Sequence, residues 1–240
     1  MFRALVYTPL YNGLVFLMDL LPWADVGVVV VVFTVVVRLV LFPLAQRAVK
    51  TQMAMRALEP ELKRVKEKHT DNKQKQAEET MRLYRENKVN PFSSFLVLLI
   101  QLPIIFGLYF IFLRGGLPNI DTDLLYSFVS TPESVTMMFL GLVDLSKKSL
   151  ILAVLTGVTQ FVQGRLAVPM TPPRAKNASL KDDITRSMQL QIKYVMPVFI
   201  AIIAYTLPSV IALYWTTTNL FTIGQELFVR RTLKRSTSAP

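Results

Sequence analysis

The sequence contains no cysteine and a single histidine, His69, in 240 residues. The first absence excludes disulfides, thiolate metal sites and a lipid anchor on an N-terminal cysteine. The second leaves a metal without a ligand set, because His69 lies in the most charged stretch with no neighbouring ligands. Also missing are an intramembrane acidic pair, a phosphate-cradling glycine loop and a Gly-x-Ser-x-Gly elbow. No enzyme, nucleotide or metal cofactor is implied. Internal repeats of the kind that mark many transporters are absent as well. Hydrophobic residues, by contrast, make up 52% of the chain and mean hydropathy is +0.41. Several apolar runs approach about 20 residues, which a soluble core of this size does not need. The expectation is an all-α membrane protein. Its net charge of +11 fits cytoplasmic loops that touch anionic headgroups. Contact with ribosomal RNA is an additional reading, and nothing else suggests a nucleic-acid site.

Residues 1–24 are apolar but broken by Pro9, Asn12, Gly13, Asp19 and Pro22. They read as an amphipathic helix at the outer membrane surface, with Tyr7, Tyr11, Phe16 and Trp23 near the headgroups. A sixth span and a signal sequence are the alternatives, although no small-x-small cleavage site precedes Pro22. Residues 25–45 form the first expected transmembrane helix. Its valines favour a strand in water, but an isolated strand in hydrocarbon cannot satisfy its backbone. Residues 46–90 read as a cytoplasmic helical hairpin. Leu58, Leu62 and Val65 form one stripe, and Ala77, Met81 and Tyr84 another, with a turn near Thr70, Asp71 and Asn72 and a kink or restart at Pro60. The second span is 91–114, followed by an external loop at 115–148, the third span at 149–169 and a cytoplasmic loop at 170–191. The apolar stretch that follows is too long for one span, and Pro208 with Ser209 divides it into spans at 192–207 and 208–226. A basic tail, 227–240, closes the chain.

Charge sets the sides. The hairpin has 12 basic and 7 acidic residues, net +5; residues 165–193 have six and two, net +4; the tail counted with Glu226 has four and one, net +3. Residues 1–25, with Asp25 at the start of the first span, and residues 114–148, with Arg114 at the end of the second, are each net −1. Basic residues mark the cytoplasmic side, so the expected topology is five spans with the N-terminus outside and the C-terminus in the cytoplasm.

Arg38 is the sharpest signal. Its Cα lies roughly 9 Å from the inner end of the first span, within partial reach of snorkelling. A guanidinium costs at least ~2.5 kcal/mol at a helix centre and usually faces protein or water. No Asp or Glu lies in the apolar interior of any of the five expected spans, Asp25 and Glu226 standing at span ends, so Arg38 is read as facing a wet cavity. Thr34 is one turn before it, and Gln101 lies in the second span. Thr156, Gln160 and Gln163 share a face of the third span, and Thr218, Thr222 and Gln225 a face of the fifth. The bland reading of each is interhelical hydrogen bonding. Tyr214 and Trp215 suit interfacial anchors, yet Trp215 lies ~10 Å below the Pro208 turn, deep enough to line a groove.

At these residues the chain resembles the YidC family of membrane-protein insertases, over nearly its whole length. VVVRLVLFPLAQRAVKTQ is similar to the family's arginine-bearing first core helix. The stretch MRALEPELKRVKEKHTDNKQKQAEETMRLYRENKVNPFSSFLVLLIQLPIIFGLYF resembles its cytoplasmic hairpin and second helix. FLGLVDLS resembles the segment before the third, and LYWTTTNLFTIGQ the fifth. The resemblance implies five helices around a hydrophilic groove open to cytoplasm and lipid and closed outward. Arg38, Trp215 and either Gln160 or Gln163 would line it, with Thr34, Gln101 and Thr218 as further candidates. It implies a bacterial plasma (inner) membrane location and no catalysis. Nascent membrane proteins would be the clients; the ribosome, targeting machinery, a larger translocon and lipids are further expected partners. The large external domain and lipid-anchor cysteine of some members are missing here, and the tail is short for strong ribosome docking. A transporter that binds a small solute or anion at Arg38, and an assembly scaffold, are the alternative readings.

Overall fold

The computed structural model describes residues 1–90, 93–113, 117–167, 187 and 190–237, and the chain is mostly helical. In chain order the helices are α1 (Thr8–Leu20), α2 (Val26–Val40), α3 (Phe42–Ala57), α4 (Glu59–Lys68), α5 (Lys73–Glu86), α6 (Ser93–Leu113), α7 (Leu150–Ala167), α8 (Met196–Thr206) and α9 (Ser209–Thr237). π-helical turns at Arg3–Tyr7 and Gln191–Val195 lead into α1 and α8. The chain forms two compact units: Met1–Val40 with Leu102–Gln225, and Leu41–Gln101 with Glu226–Pro240. The loop expected at residues 170–191 lies almost entirely outside the described residues.

In the first unit, Asp25 starts the valine-rich α2. Its Oδ1 accepts from the Val28 N–H at 2.9 Å, satisfying a donor that the helix itself cannot. Tyr11, Leu14 and Val15 of α1, Val29, Val30 and Phe33 of α2, Leu108 and Ile111 of α6, Leu152 of α7 and Val210–Leu213 of α9 are buried together. Two glycines permit close approaches that a Cβ would block. Gly27 lies under the Phe139 ring, and a Cβ on Gly157 would sit 2.9 Å from the Ala201 Cβ and 3.3 Å from the Pro197 carbonyl oxygen.

The segment between α6 and α7 departs from an all-helical chain. β1 (Met138–Phe139) pairs antiparallel with β2 (Val143–Asp144), and a 3₁₀ turn occupies Thr122–Leu124. Val135, Met137 and Phe139 are half-buried while Thr136, Met138 and Leu140 are exposed. That alternation has a period of two, as a strand requires. It is hidden in the sequence because both faces carry apolar residues.

The first expected span, residues 25–45, also differs: α2 ends at Val40, a turn falls at Leu41, and α3 begins at Phe42. Pro43 is the physical reason, since its ring cannot follow the carbonyl four residues earlier within one helix. At the other end, α9 continues to Thr237, so described residues of the expected tail are helical. Among the described residues no single helix is long and apolar enough to cross a membrane. Val26–Val40 and Phe42–Met55 qualify only together; Gln101–Leu113, Leu150–Leu166 and Gln191–Thr206 are shorter apolar helices.

In the second unit, α4 restarts after Leu58 with Pro60 in its first turn, where its missing N–H is harmless. Asn72 caps α5, accepting from the Lys75 N–H at 2.9 Å. At the other end the Lys88 and Val89 N–H groups donate to the Arg85 and Tyr84 carbonyls at 3.0 and 2.9 Å, with Lys88 left-handed at φ 53°. This is a Schellman closure, and it packs buried Val89 near Tyr84. Burial pushes the Tyr84 phenol above its usual range. The expected stripe of α5 is covered only at Tyr84: Ala77 and Met81 are exposed, whereas Gln76, Thr80 and Leu83 are half-buried. Buried Glu226 is paired with Arg230 at 2.6 Å.

Candidate functional site

The expected groove residues occupy different settings. Thr34 is buried, and its Oγ1 donates to the Val30 carbonyl at 2.6 Å. Arg38, one turn further along α2, is half-buried, with the buried Tyr214 phenol within its electrostatic reach. Gln160 Nε2 donates to Gln163 Oε1 at 3.2 Å, so the two glutamines act as one polar patch on α7. Trp215 is partly buried against the apolar core. Gln101 is half-buried on α6 and belongs to the second unit, whereas the other six candidates belong to the first.

The densest polar contacts join Thr156, which periodicity singled out, to Thr216, and Thr159 to Asn219, three residues that periodicity did not. Thr156 Oγ1 lies 2.8 Å from the Leu152 carbonyl, 3.0 Å from the Ala212 carbonyl and 2.9 Å from Thr216 Oγ1. One turn on, Asn219 Nδ2 donates to Thr159 Oγ1 at 3.2 Å. Thr156, Thr159, Thr216 and Asn219 are all buried. Together they form a hydroxyl and amide seam that joins α7 to α9. Its sequence signal was Ala212, Thr216 and Asn219 at i, i+4, i+7, one residue out of phase with a stripe through Thr218, Thr222 and Gln225.

Thr218 differs from its neighbours. Thr217 and Thr222 donate to the carbonyls of Leu213 and Thr218, both at 2.8 Å. Thr218 Oγ1 is buried and alone among the described buried side-chain atoms has no hydrogen-bond partner. A buried hydroxyl left so costs about 1–3 kcal/mol, which marks a place where an incoming polar group is favoured.

One end of the first unit is tied down by the segment 117–148. Asn12 donates to the Leu124 carbonyl at 2.8 Å and accepts from the Tyr126 N–H at 2.6 Å. The Asp121 N–H donates to the Tyr11 hydroxyl at 2.8 Å. Burial raises the Tyr11 phenol above its ordinary range, partly offset by that bond. The Val26 N–H donates to the Thr136 carbonyl at 3.0 Å, and the Leu140 N–H to Asp25 Oδ2 at 2.9 Å. At the start of α9, the Ser209 N–H donates to the Lys147 carbonyl at 2.8 Å and its Oγ to the Asp144 carbonyl at 3.0 Å. Hydrogen bonds from the Ser146 side chain and Lys147 hold the Asp144 carboxyl below its usual range. These bonds join one segment to α1 and to the starts of α2 and α9.

Comparison with known proteins identifies the family. The chain is 32% identical over 210 residues to a membrane protein insertase YidC of Oceanobacillus iheyensis, covering 85% of this chain and 74% of the relative. It is 31% identical over 205 residues to one from Fusobacterium nucleatum, covering 85% and 86%. It is 36% identical over 213 residues to YidC 1 of Listeria monocytogenes, covering 87% and 64%. The family model described as 60Kd inner membrane protein matches residues 17–236. With its helical fold and polar seam inside apolar helices, this chain belongs to the 60Kd inner membrane protein family.

Proposed function

We propose that the chain is a membrane-protein insertase of the bacterial inner membrane, moving hydrophilic segments of nascent membrane proteins past hydrocarbon and releasing their spans into lipid. The observation that carries the reading is the buried polar interior of the first unit. Thr34, Thr156, Thr159, Thr216, Thr218 and Asn219 lie inside helices whose outward residues, such as Val154, Val158, Val198 and Ile202, are apolar and exposed. In water that arrangement is inverted; in lipid it is a polar path with a lipid-compatible jacket. The relatives' names are insertases and lend the anion-transporter reading no support.

In this reading the five spans are 25–45, 91–114, 149–169, 192–207 and 208–226, with the hairpin 46–90 in the cytoplasm. Residues 1–24 remain the interfacial element, tethered through Asn12 and Tyr11 to the external segment 117–148, which closes the groove outward. The 18 residues of α7 extend about 27 Å, short of a typical ~30 Å hydrocarbon layer. Short helices favour local thinning, which lowers the barrier further. A polar segment entering from the cytoplasm meets Arg38, whose positive charge attracts its carboxylates, and hydroxyls including Thr218 accept its polar groups. Each polar group spared transfer to hydrocarbon saves several kcal/mol. The hairpin would receive the substrate or the ribosome, targeting machinery or a larger translocon. The test is reconstitution with a ribosome-free single-span substrate bearing an acidic external tail. Wild-type chain should insert it and Arg38→Ala should do so poorly; equal insertion by both would sink the electrostatic step.

A further inference from the structure

The surface between α7 and α8 holds a feature that the insertion path does not use. A groove of about 620 Å³ runs between the two helices, with walls that are almost wholly apolar from Leu150 to Phe161 on one side and Tyr194 to Tyr205 on the other. Gly157 opens it, because a larger residue there would collide with Ala201. At one end the Phe161 and Tyr194 rings lie 5.9 Å apart. Each ring carries a cation. The Arg165 guanidinium lies 5.5 Å from the Phe161 centroid, and Lys193 Nζ 5.7 Å from that of Tyr194. Among the described residues neither cation belongs to an ion pair.

We propose that this groove is a binding site for an anionic phospholipid of the cytoplasmic leaflet, its acyl chain between α7 and α8 and its phosphate between Arg165 and Lys193. The proposal rests on the membrane topology given above, which puts both cations at the cytoplasmic headgroup level. Two arguments select this occupant. From Phe161 to Leu150 the helix rises about 17 Å, close to the ~15 Å depth of one leaflet and about half of what a spanning substrate helix needs. Apolar walls alone cannot choose a ligand in a bilayer, since lipid tails are as apolar as the groove. Selection must come from the polar end, where two cations face the headgroups and a basic pocket between helices suits a phosphate. The ring contacts hold both charges at the groove mouth and limit the entropy lost when lipid binds.

The test uses the full chain in phosphatidylcholine nanodiscs with a minor fraction of phosphatidylglycerol, extracted gently and read by native mass spectrometry, with insertion assayed in parallel. Wild-type chain should retain phosphatidylglycerol over phosphatidylcholine roughly tenfold to thirtyfold beyond their supplied ratio. Arg165→Gln/Lys193→Gln should lose that preference. Val158→Trp, which fills the groove and keeps both cations, should release the lipid with circular dichroism unchanged. Inorganic phosphate should not displace it, because phosphate lacks the acyl chain. Equal retention of both lipids by wild type, preference surviving in the double variant, or displacement by inorganic phosphate would overturn the site. Insertion without lipid preference would defeat this inference and leave the insertase reading standing. Preference without insertion would support the site and defeat the insertase reading.

Discussion

Replacing Thr156 with valine tests whether the α7–α9 seam is dry packing or part of the wet path. The hydroxyl lies within hydrogen-bond distance of two carbonyls and Thr216 Oγ1. It has one proton, so it donates to one carbonyl at a time and accepts from Thr216. Valine keeps the shape and removes both bonds. The Leu152 and Ala212 carbonyls retain their own helical N–H partners, so neither is orphaned; Thr216 alone loses an acceptor. In water-soluble cores two such bonds are worth about 2 kcal/mol. In bilayers the measured average is about 0.6 and the maximum about 1.7 kcal/mol. Thr156→Val should therefore cost about 1 kcal/mol. Thr216→Val removes only the shared bond and should cost about half as much, and the double variant little more than Thr156→Val alone. The assay is reversible unfolding in mixed micelles followed by far-ultraviolet circular dichroism. Strict additivity would refute the shared bond, and a loss above about 3 kcal/mol would refute the claim that the carbonyls stay satisfied. Thr218→Val is the internal contrast. Removing a hydroxyl that lacks a partner should leave stability unchanged or raise it by up to about 1 kcal/mol, while insertion of polar segments falls. If insertion holds while stability drops, Thr218 is structural glue instead.

Four further outcomes follow from the same geometry. Arg38→Ala should reduce insertion of acidic-tailed substrates about tenfold, as one weakened charge contact of roughly 1.4 kcal/mol implies, and Asp→Asn changes in the substrate tail should abolish the difference; a kinetic double-mutant cycle with no coupling would reject the attraction. Asn12→Leu leaves the Leu124 carbonyl and Tyr126 N–H without their Asn12 bonds and should cost about 2–4 kcal/mol, read as faster hydrogen exchange in residues 120–128. Lys88→Gly relieves a left-handed non-glycine residue and should stabilise the end of α5 by roughly 1 kcal/mol, read as slower exchange at Val89. Asp144 is held below its usual carboxyl range, so its contribution is complete above that range and fades as pH falls through the folded value. The melting-temperature advantage of wild type over Asp144→Asn should shrink on acidification below about pH 4, and a constant gap would contradict a contribution from its bonds with Ser146 and Lys147.

Much of the helical order was written locally. Asn72 and the preceding polar residues mark the hairpin turn, Pro60 a helix start, and Pro208 with Ser209 the break between α8 and α9; each acts through turn or proline chemistry within a few residues. Arg38 stood out because a guanidinium in an apolar helix is costly wherever the helix packs. Helix rotation was another matter. Adjacent stripes on one helix differ by about 100°, and sequence marks the buried one only when the opposite face is polar. On α5 the stripe through Ala77 and Met81 and that through Gln76, Thr80 and Leu83 are close alternatives, and packing chose the second. On α7 and α9 the ambiguity is deeper, because lipid is as apolar as a protein core and hydrophobicity cannot say which face meets which. Thus the chain alone determined most of the helical segments, the polar residues within them and the sign of charge at each end. Only the tertiary structure decided that Thr156 and Thr159 meet Thr216 and Asn219, that Thr218 is left without a partner, that Met138–Phe139 and Val143–Asp144 pair as strands, and that residues 117–148 bind α1, α2 and α9. Those outcomes depend on contacts between residues far apart in the chain, whose geometry no local period encodes.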